Sequence, residues 1–257
     1  MTLKYSTGLR SFMLEDGSFR QALNNGRIEI YSGAQPATAD AAVTGTLLCT
    51  LTAASGARTA EVLASGTLTL NTGAAGSVDT LTVNGLEIMG SSTPFNTSLT
   101  QTAADIVTKC ENAATAVDYQ VSSAGAVITI TARPGTGTYP NTYVIAATYT
   151  TITGTAVALS GGVAAVNGLI LGSASGGVIN KNATQVWSGV NVASGTAGWY
   201  RWYGSIADTG ALDSLGAYNR EDAAIATTAA ELNMASTALT ISATTTVTAW
   251  QRILPTL

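Results

Sequence analysis

The run Arg27-Ile28-Glu29-Ile30-Tyr31 alternates polar and apolar residues directly after the turn signal Asn24-Asn25-Gly26. A period of two entered from a tight turn fits a half-buried strand and is incompatible with an amphipathic helix. Short runs of the same texture lie at 46–51, 66–70, 169–171, 185–192, 198–205, 237–242 and 245–253, separated by loops rich in Ala, Gly and Ser. They predict a mainly β chain, and their spacing fits an immunoglobulin-like or jelly-roll β-sandwich. Ahead of the first strand, Leu9, Phe12, Met13, Phe19 and Leu23 are interrupted by Gly17, which predicts two short helical turns capped near Ser6 and Ser18.

The middle of the chain reads differently. Between Ala75 and Gly162 a helical pattern at 102–114 follows the strand-like run 79–89 and precedes further runs at 119–122, 126–132, 143–149 and 156–159. Ala103, Ile106, Val107, Cys110 and Ala113 share one helical face, and Thr102 with Asp105 three residues on has the spacing of a capping box. Ile106, Val107 and Cys110 are expected to pack on Ile128, Ile130, Val144 and Ile145. Strand texture resumes at 163, so the division expected is a discontinuous β-sandwich, residues 1–74 plus 163–257, with a small α+β module inserted at 75–162. The phrase Val83-Asn84-Gly85-Leu86 recurs as Val166-Asn167-Gly168-Leu169, which shared turn chemistry explains without a duplication.

Composition narrows the function. Only 10% of residues are charged, 46% are hydrophobic and the net charge is −4; a disordered chain would show the opposite balance. Binding nucleic acid needs clustered Lys and Arg, and none occurs. The chain opens on no signal-peptide pattern and holds no apolar run long enough to span a membrane, so neither a membrane nor nucleic acid is an expected partner. Cys49 and Cys110 fall in different regions and read as buried free thiols, consistent with synthesis in a reducing cytoplasm.

The chain contains no histidine, which removes Ser-His-Asp and Cys-His nucleophile systems and the commonest metal ligand together. Carboxylate pairs of the kind glycosidases use remain at Glu15 with Asp16, Asp208 with Asp213 and Glu221 with Asp222. Each stands in loop-like sequence, where acids form turns far more often than they catalyse. No enzyme activity, cofactor or metal is expected. The densest aromatic feature is Trp199-Tyr200-Arg201-Trp202-Tyr203. On a strand it places Trp199, Arg201 and Tyr203 on one face and Tyr200 and Trp202 on the other. Two readings stand for the first face: a stacking platform for a glycan, or a cross-strand ladder or subunit contact.

Two stretches resemble a recurrent class of structural protein of tailed-bacteriophage virions. They are Asn25 to Pro36 with the following Ala37 to Thr46, and Gly195 to Trp202 with Glu231 to Ser236 and the terminal Trp250 to Pro255. The middle, with Val78 to Gly85 followed by a helix, resembles a module carried by phage tail and fibre proteins. The resemblance implies a virion component made in the bacterial host cytoplasm: a capsid decoration or cement protein, or a head-tail accessory subunit. Its partners would be major capsid, head-tail or tail subunits and further copies of itself. A tail component such as a tube, collar or fibre base, and a host-surface or glycan-binding adhesin using Trp199, Arg201 and Tyr203, are the alternatives.

Overall fold

The structure is a computed structural model and describes residues 3–113 and 118–253. Strand outweighs helix, 43% against 12%, so the chain is mainly β, as the alternating runs predict. Among the described residues no helix is long and apolar enough to cross a membrane. The chain divides into two compact units, Met1–Glu61 with Ala165–Leu257, and Val62–Ala164.

The first unit is built on a nine-stranded sheet. Its main path runs Lys4–Tyr5, Arg220–Ala226, Gly195–Tyr203, Arg27–Ser32, Leu47–Ala53, Trp187–Val190, Thr244–Val247, and each adjacent pair is antiparallel. Leu232–Asn233 and Ala238–Leu239 add at the side. The period of two decides which residues enter the core: Ile28 and Ile30 oppose Trp202 and Tyr200 on one neighbour and Leu51 and Cys49 on the other, and all six are buried. The turn before Arg27 must be tight, because a Cβ on Gly26 would lie 1.9 Å from the Tyr203 carbonyl oxygen. Ser6 and Ser18 cap the two short helices Thr7–Ser11 and Phe19–Leu23, accepting from the amides of Leu9 and Gln21; a π-helical turn, Phe12–Asp16, lies between them.

Several expected strands differ. The run 245–253 splits into Thr244–Val247 in the main sheet and Gln251–Ile253, which pairs with Val178–Asn180. The run 237–242 contracts to Ala238–Leu239, and 169–171 makes only isolated bridges. Arg220–Ala226 is a central strand that alternation could not reveal, because its first three residues are charged and all are buried.

The second unit holds two four-stranded sheets. One runs Thr153–Ser160, Ser65–Thr72, Val127–Ala132, Tyr119–Ala124; the other centres on Ser77–Val83, flanked by Ile145–Thr150 and Leu86–Glu87, with Thr93–Pro94 also paired to it. Ser65–Thr72 covers the run 66–70 expected in the flanking 1–74 segment; it pairs instead with two strands of the middle unit. Gly73 and Gly76, on either side of the expected boundary at 75, lie inside this unit. Gly76 sits at φ +91° in the connection to the next strand, where a Cβ would meet the Thr150 carbonyl oxygen at 1.9 Å. The unit's ends lie side by side, with Val62 and Val163 exchanging backbone hydrogen bonds of 3.0 and 2.9 Å.

The helix of this unit is Leu99–Asn112, starting three residues earlier than its pattern predicts; Ala114, the end of the expected span, lies outside the described residues. Ser98 is its N-cap and accepts from the Gln101 amide. Thr102 is no cap: its hydroxyl donates to the Ser98 carbonyl, and Asp105 accepts from the Asn96 and Gln101 side chains. Ile106 and Cys110 are buried in one cluster with Ile128, Ile130 and Ile145, and Val107 packs at its edge. Val144, expected there, is 59% exposed. Both cysteines are buried free thiols, which burial pushes up to about 11 for Cys49 and about 12 for Cys110.

All four tryptophans, Trp187, Trp199, Trp202 and Trp250, belong to the first unit, so tryptophan fluorescence reports that unit alone. Truncating Ile106 in a filled core should cost about 2 to 5 kcal/mol. Ile106→Ala is therefore expected to lower the unfolding transition of residues 62–164 seen by far-ultraviolet circular dichroism and to leave the fluorescence transition in place. A joint shift of both would show that the two units unfold as one.

Candidate functional site

Trp199, Arg201 and Tyr203 project from one face of Gly195–Tyr203, and Tyr200 and Trp202 from the other. All five are fully buried. The expectation that Trp199, Arg201 and Tyr203 form an accessible glycan platform or subunit contact is thereby corrected: residues 33–46 and 204–219 include loops that cover this face. Arg201 Nη1 donates to the Ala41 carbonyl at 2.9 Å, and the loops are tied together by Val43 N to Gly210 O at 3.0 Å and Asp213 N to Asp40 O at 2.8 Å.

Beneath that cover lies a ladder of rings and ion pairs. Trp199 stacks on Tyr31 with centroids 4.7 Å apart. Arg201 meets Asp222, directly opposite it in register, through two hydrogen bonds of 2.7 Å. Arg220 meets Asp208 in the same bidentate way, again at 2.7 Å for both bonds. Arg27 lies 4.0 Å above the Tyr203 ring and pairs with Glu29 at 2.7 Å. Burial opposes the charge on Arg201, but the Asp222 carboxylate outweighs it, so the guanidinium is held protonated.

The opposite, core-side face has its own charged group. Glu221 Oε1 accepts from Arg252 Nη2 at 2.6 Å and from the Tyr200 hydroxyl at 2.8 Å. Burial raises the Glu221 carboxyl in spite of both partners. Its Oε2 and Arg252 Nε, like Trp199 Nε1 on the other face, are buried without hydrogen bonds, exceptions to the pairing expected of buried polar groups.

The carboxylate pairs singled out in the sequence do not form two-acid sites. Glu221 and Asp222 are adjacent on a strand rather than in a loop, so they point to opposite faces, each with its own arginine. Asp208 is held by Arg220, and Asp213 accepts from the amides of Ala217 and Tyr218. Glu15 and Asp16 lie on the π-helical turn, with Glu15 exposed. Among the described residues no cluster of three or more His, Cys, Asp or Glu side chains is placed to hold a metal ion. Sequence reading missed Arg220 and Arg252; the available signal was Arg201 itself, since an arginine flanked by aromatics on a central strand demands a buried acid, and Asp222 is the last charge of Arg220-Glu221-Asp222.

Among the described residues, the concavities of the first unit include an apolar groove and a second cleft. One, of about 530 Å³, is a largely apolar groove between Tyr5, Met13, Phe19 and Ile179, with Arg252 in its wall. The other, of about 570 Å³, is a cleft of small residues in which Arg27 and Arg58 stand beside Thr50, Thr52 and Ser55. No known protein family matches the sequence, and no curated protein is significantly similar to it.

Removing one partner of a buried pair leaves an uncompensated charge and costs about 3 to 5 kcal/mol, whereas replacing both with apolar groups is often close to neutral. Arg201→Met is therefore expected to lower the first unit's stability by about that amount, and adding Asp222→Leu to recover much of the loss, as read by denaturant unfolding followed at the tryptophans. A pH dependence follows from Asp213. Burial raises its carboxyl, but the amides of Ala217 and Tyr218 and the charge of Arg220 outweigh this and hold it below its ordinary value of 3.8. A carboxyl held lower in the folded than in the unfolded state adds stability above the unfolded pKa and loses it as pH falls through the folded one. Asp213→Asn should reduce stability at neutral pH and flatten its decline below about pH 4, measured as unfolding midpoint against pH.

Proposed function

We propose that this chain is a non-enzymatic structural subunit of a tailed-phage particle, a capsid decoration or cement protein or a head-tail accessory subunit that acts through contacts with other virion proteins and with copies of itself. The observation that carries the reading is where the charges lie. The chain has 11 basic and 15 acidic residues, and among the described residues four ion pairs take eight of them into positions where no side chain is more than 14% exposed. The surface is left poorer in charge than the composition, and it exposes Val186, Val190, Val192, Leu212, Leu215 and Ile241, each at least 52% accessible. Depletion of charge with retention of apolar contacts is the character of the buried centre of a subunit interface. The stretches around Asn25–Thr46 and Gly195–Trp202 that resemble phage virion proteins supply one strand each to the sheet and one of the loops over the buried pairs.

Within that reading, the first unit is a discontinuous sandwich of immunoglobulin-like or jelly-roll type. Two strands separate Trp187 from Trp202 in the sheet, about 14 Å if the sheet were flat. Their rings are 5.2 Å apart, with Trp250 4.8 Å from Trp202, which supports a sheet curled on itself around one core.

Quantifying the chain in purified particles and locating it in a particle map tests the proposal. A decoration or cement role predicts on the order of tens to hundreds of copies spread over the shell. A small fixed number at one vertex would move the assignment to a tail or collar component, and absence from the particle would overturn it.

A further inference from the structure

Two cations, Arg27 and Arg58, and one carboxylate, Asp208, line the cleft, and both Asp208 oxygens already accept from Arg220. Arg27 is satisfied by Glu29 and by the Asp208 carbonyl oxygen at 2.6 Å. Arg58 forms no ion pair among the described residues: its hydrogen bonds all go to backbone carbonyls, those of Asn25, Gly204 and Ser205. These three anchors fix the guanidinium in the cleft wall without neutralising it. Burial, and then the like charge of Arg27, pull Arg58 down to about 10, against the attraction of Glu29 and Glu61. Neither acid is spare: Glu29 pairs with Arg27, and Glu61 accepts a hydrogen bond from the Ser205 hydroxyl. A cation held in this way is stabilised by any anion that enters beside it.

The remaining wall selects what carries that anion. Thr50 and Thr52 come from the strand Leu47–Ala53, Ser55 follows its end, and Gly189 and Val190 face them from the neighbouring strand. The Ser55 and Ser188 hydroxyls are 2.8 Å apart. Among the described residues no aromatic ring lines the cleft, which disfavours a flat hydrophobic ligand, while hydroxyls and backbone groups suit a ligand that is itself hydroxylated.

We propose that the cleft between Arg27, Arg58 and the Thr50–Ser55 segment is a binding site for an anionic saccharide, its carboxylate or sulfate group seated on Arg58 and its hydroxyls on the threonine and serine side. The site is distinct from the buried aromatic ladder and does not depend on the assembly role, since a saccharide could be bound by a virion subunit or by a protein of another kind.

Isothermal titration calorimetry on the full chain tests it with four probes: an oligogalacturonate, a sulfated oligosaccharide, a neutral oligosaccharide of the same length, and sodium sulfate. Binding of at least one anionic saccharide, at least about tenfold tighter than the neutral one and than sulfate alone, is the expected result. Arg58→Gln should abolish the preference. Because Arg58 also anchors three carbonyls, Val190→Glu serves as a second variant: it adds a negative charge at a rim position that is 52% exposed, and should weaken anionic binding at least about tenfold with an unchanged unfolding temperature. Equal affinity for the neutral oligosaccharide, sulfate binding as tightly as either anionic saccharide, no saccharide binding at millimolar concentration, or unaltered affinity in a folded Val190→Glu variant would each overturn the proposal.

Discussion

Asp222 sits in the interior of a sheet with no exposure to solvent, and it is tolerable there because Arg201 on the adjacent strand meets both of its oxygens at 2.7 Å. An ion pair of this kind contributes little net stability, since desolvating two charges offsets their attraction. What it contributes is register. Arg201 opposes Asp222 directly, with Trp202 opposite Glu221 and Tyr203 opposite Arg220. A slip of one residue would send every side chain to the other face and leave three buried charges without partners. The loops at 33–46 and 204–219 are held by the same groups, through the carbonyls of Ala39, Asp40, Ala41 and Gly210 that accept from Arg201 and Arg220. One pair of strands therefore organises both the sheet and its cover.

Placing charges inside leaves a surface of small polar and apolar side chains. In an isolated chain such a surface would be a liability for association; in a subunit that is covered by neighbours it lowers the number of charges that assembly must strip of water. The structural proposal and the saccharide cleft are compatible on these terms, because Arg58 is a cation anchored near the surface and fixed by carbonyls alone.

The second unit follows local rules more closely. Its helix buries Ala103, Ile106 and Cys110, the face that helical spacing selects, and Ser65–Thr72 and Val127–Ala132 alternate, the latter with Ile128, Ile130 and Ala132 buried. The repeated Val-Asn-Gly-Leu phrase also has a local cause: Asn84 and Asn167 both adopt positive φ, near +50°, in turns. Where local reading failed, at Ser65–Thr72, the cause was that the connection at Gly76, next to the expected boundary at 75, is a turn inside the unit.

The amino-acid sequence by itself determined the mainly β character, the first strand and its turn, the two serine-capped helices and the helix of the middle unit, because period-two and period-3.6 patterns are properties of consecutive residues. It also determined that Trp199, Arg201 and Tyr203 share a face. Only the tertiary structure decided that this face is sealed, since the sealing loops come from 33–46 and 204–219 and no local pattern connects them. The strand Arg220–Ala226 was hidden for the same reason: three consecutive charges read as solvated loop until their partners, Asp208, Arg252 and Arg201, are brought beside them from 12, 31 and 21 residues away. A buried charge is an interaction between distant positions, and a single sequence records its two halves without recording that they meet.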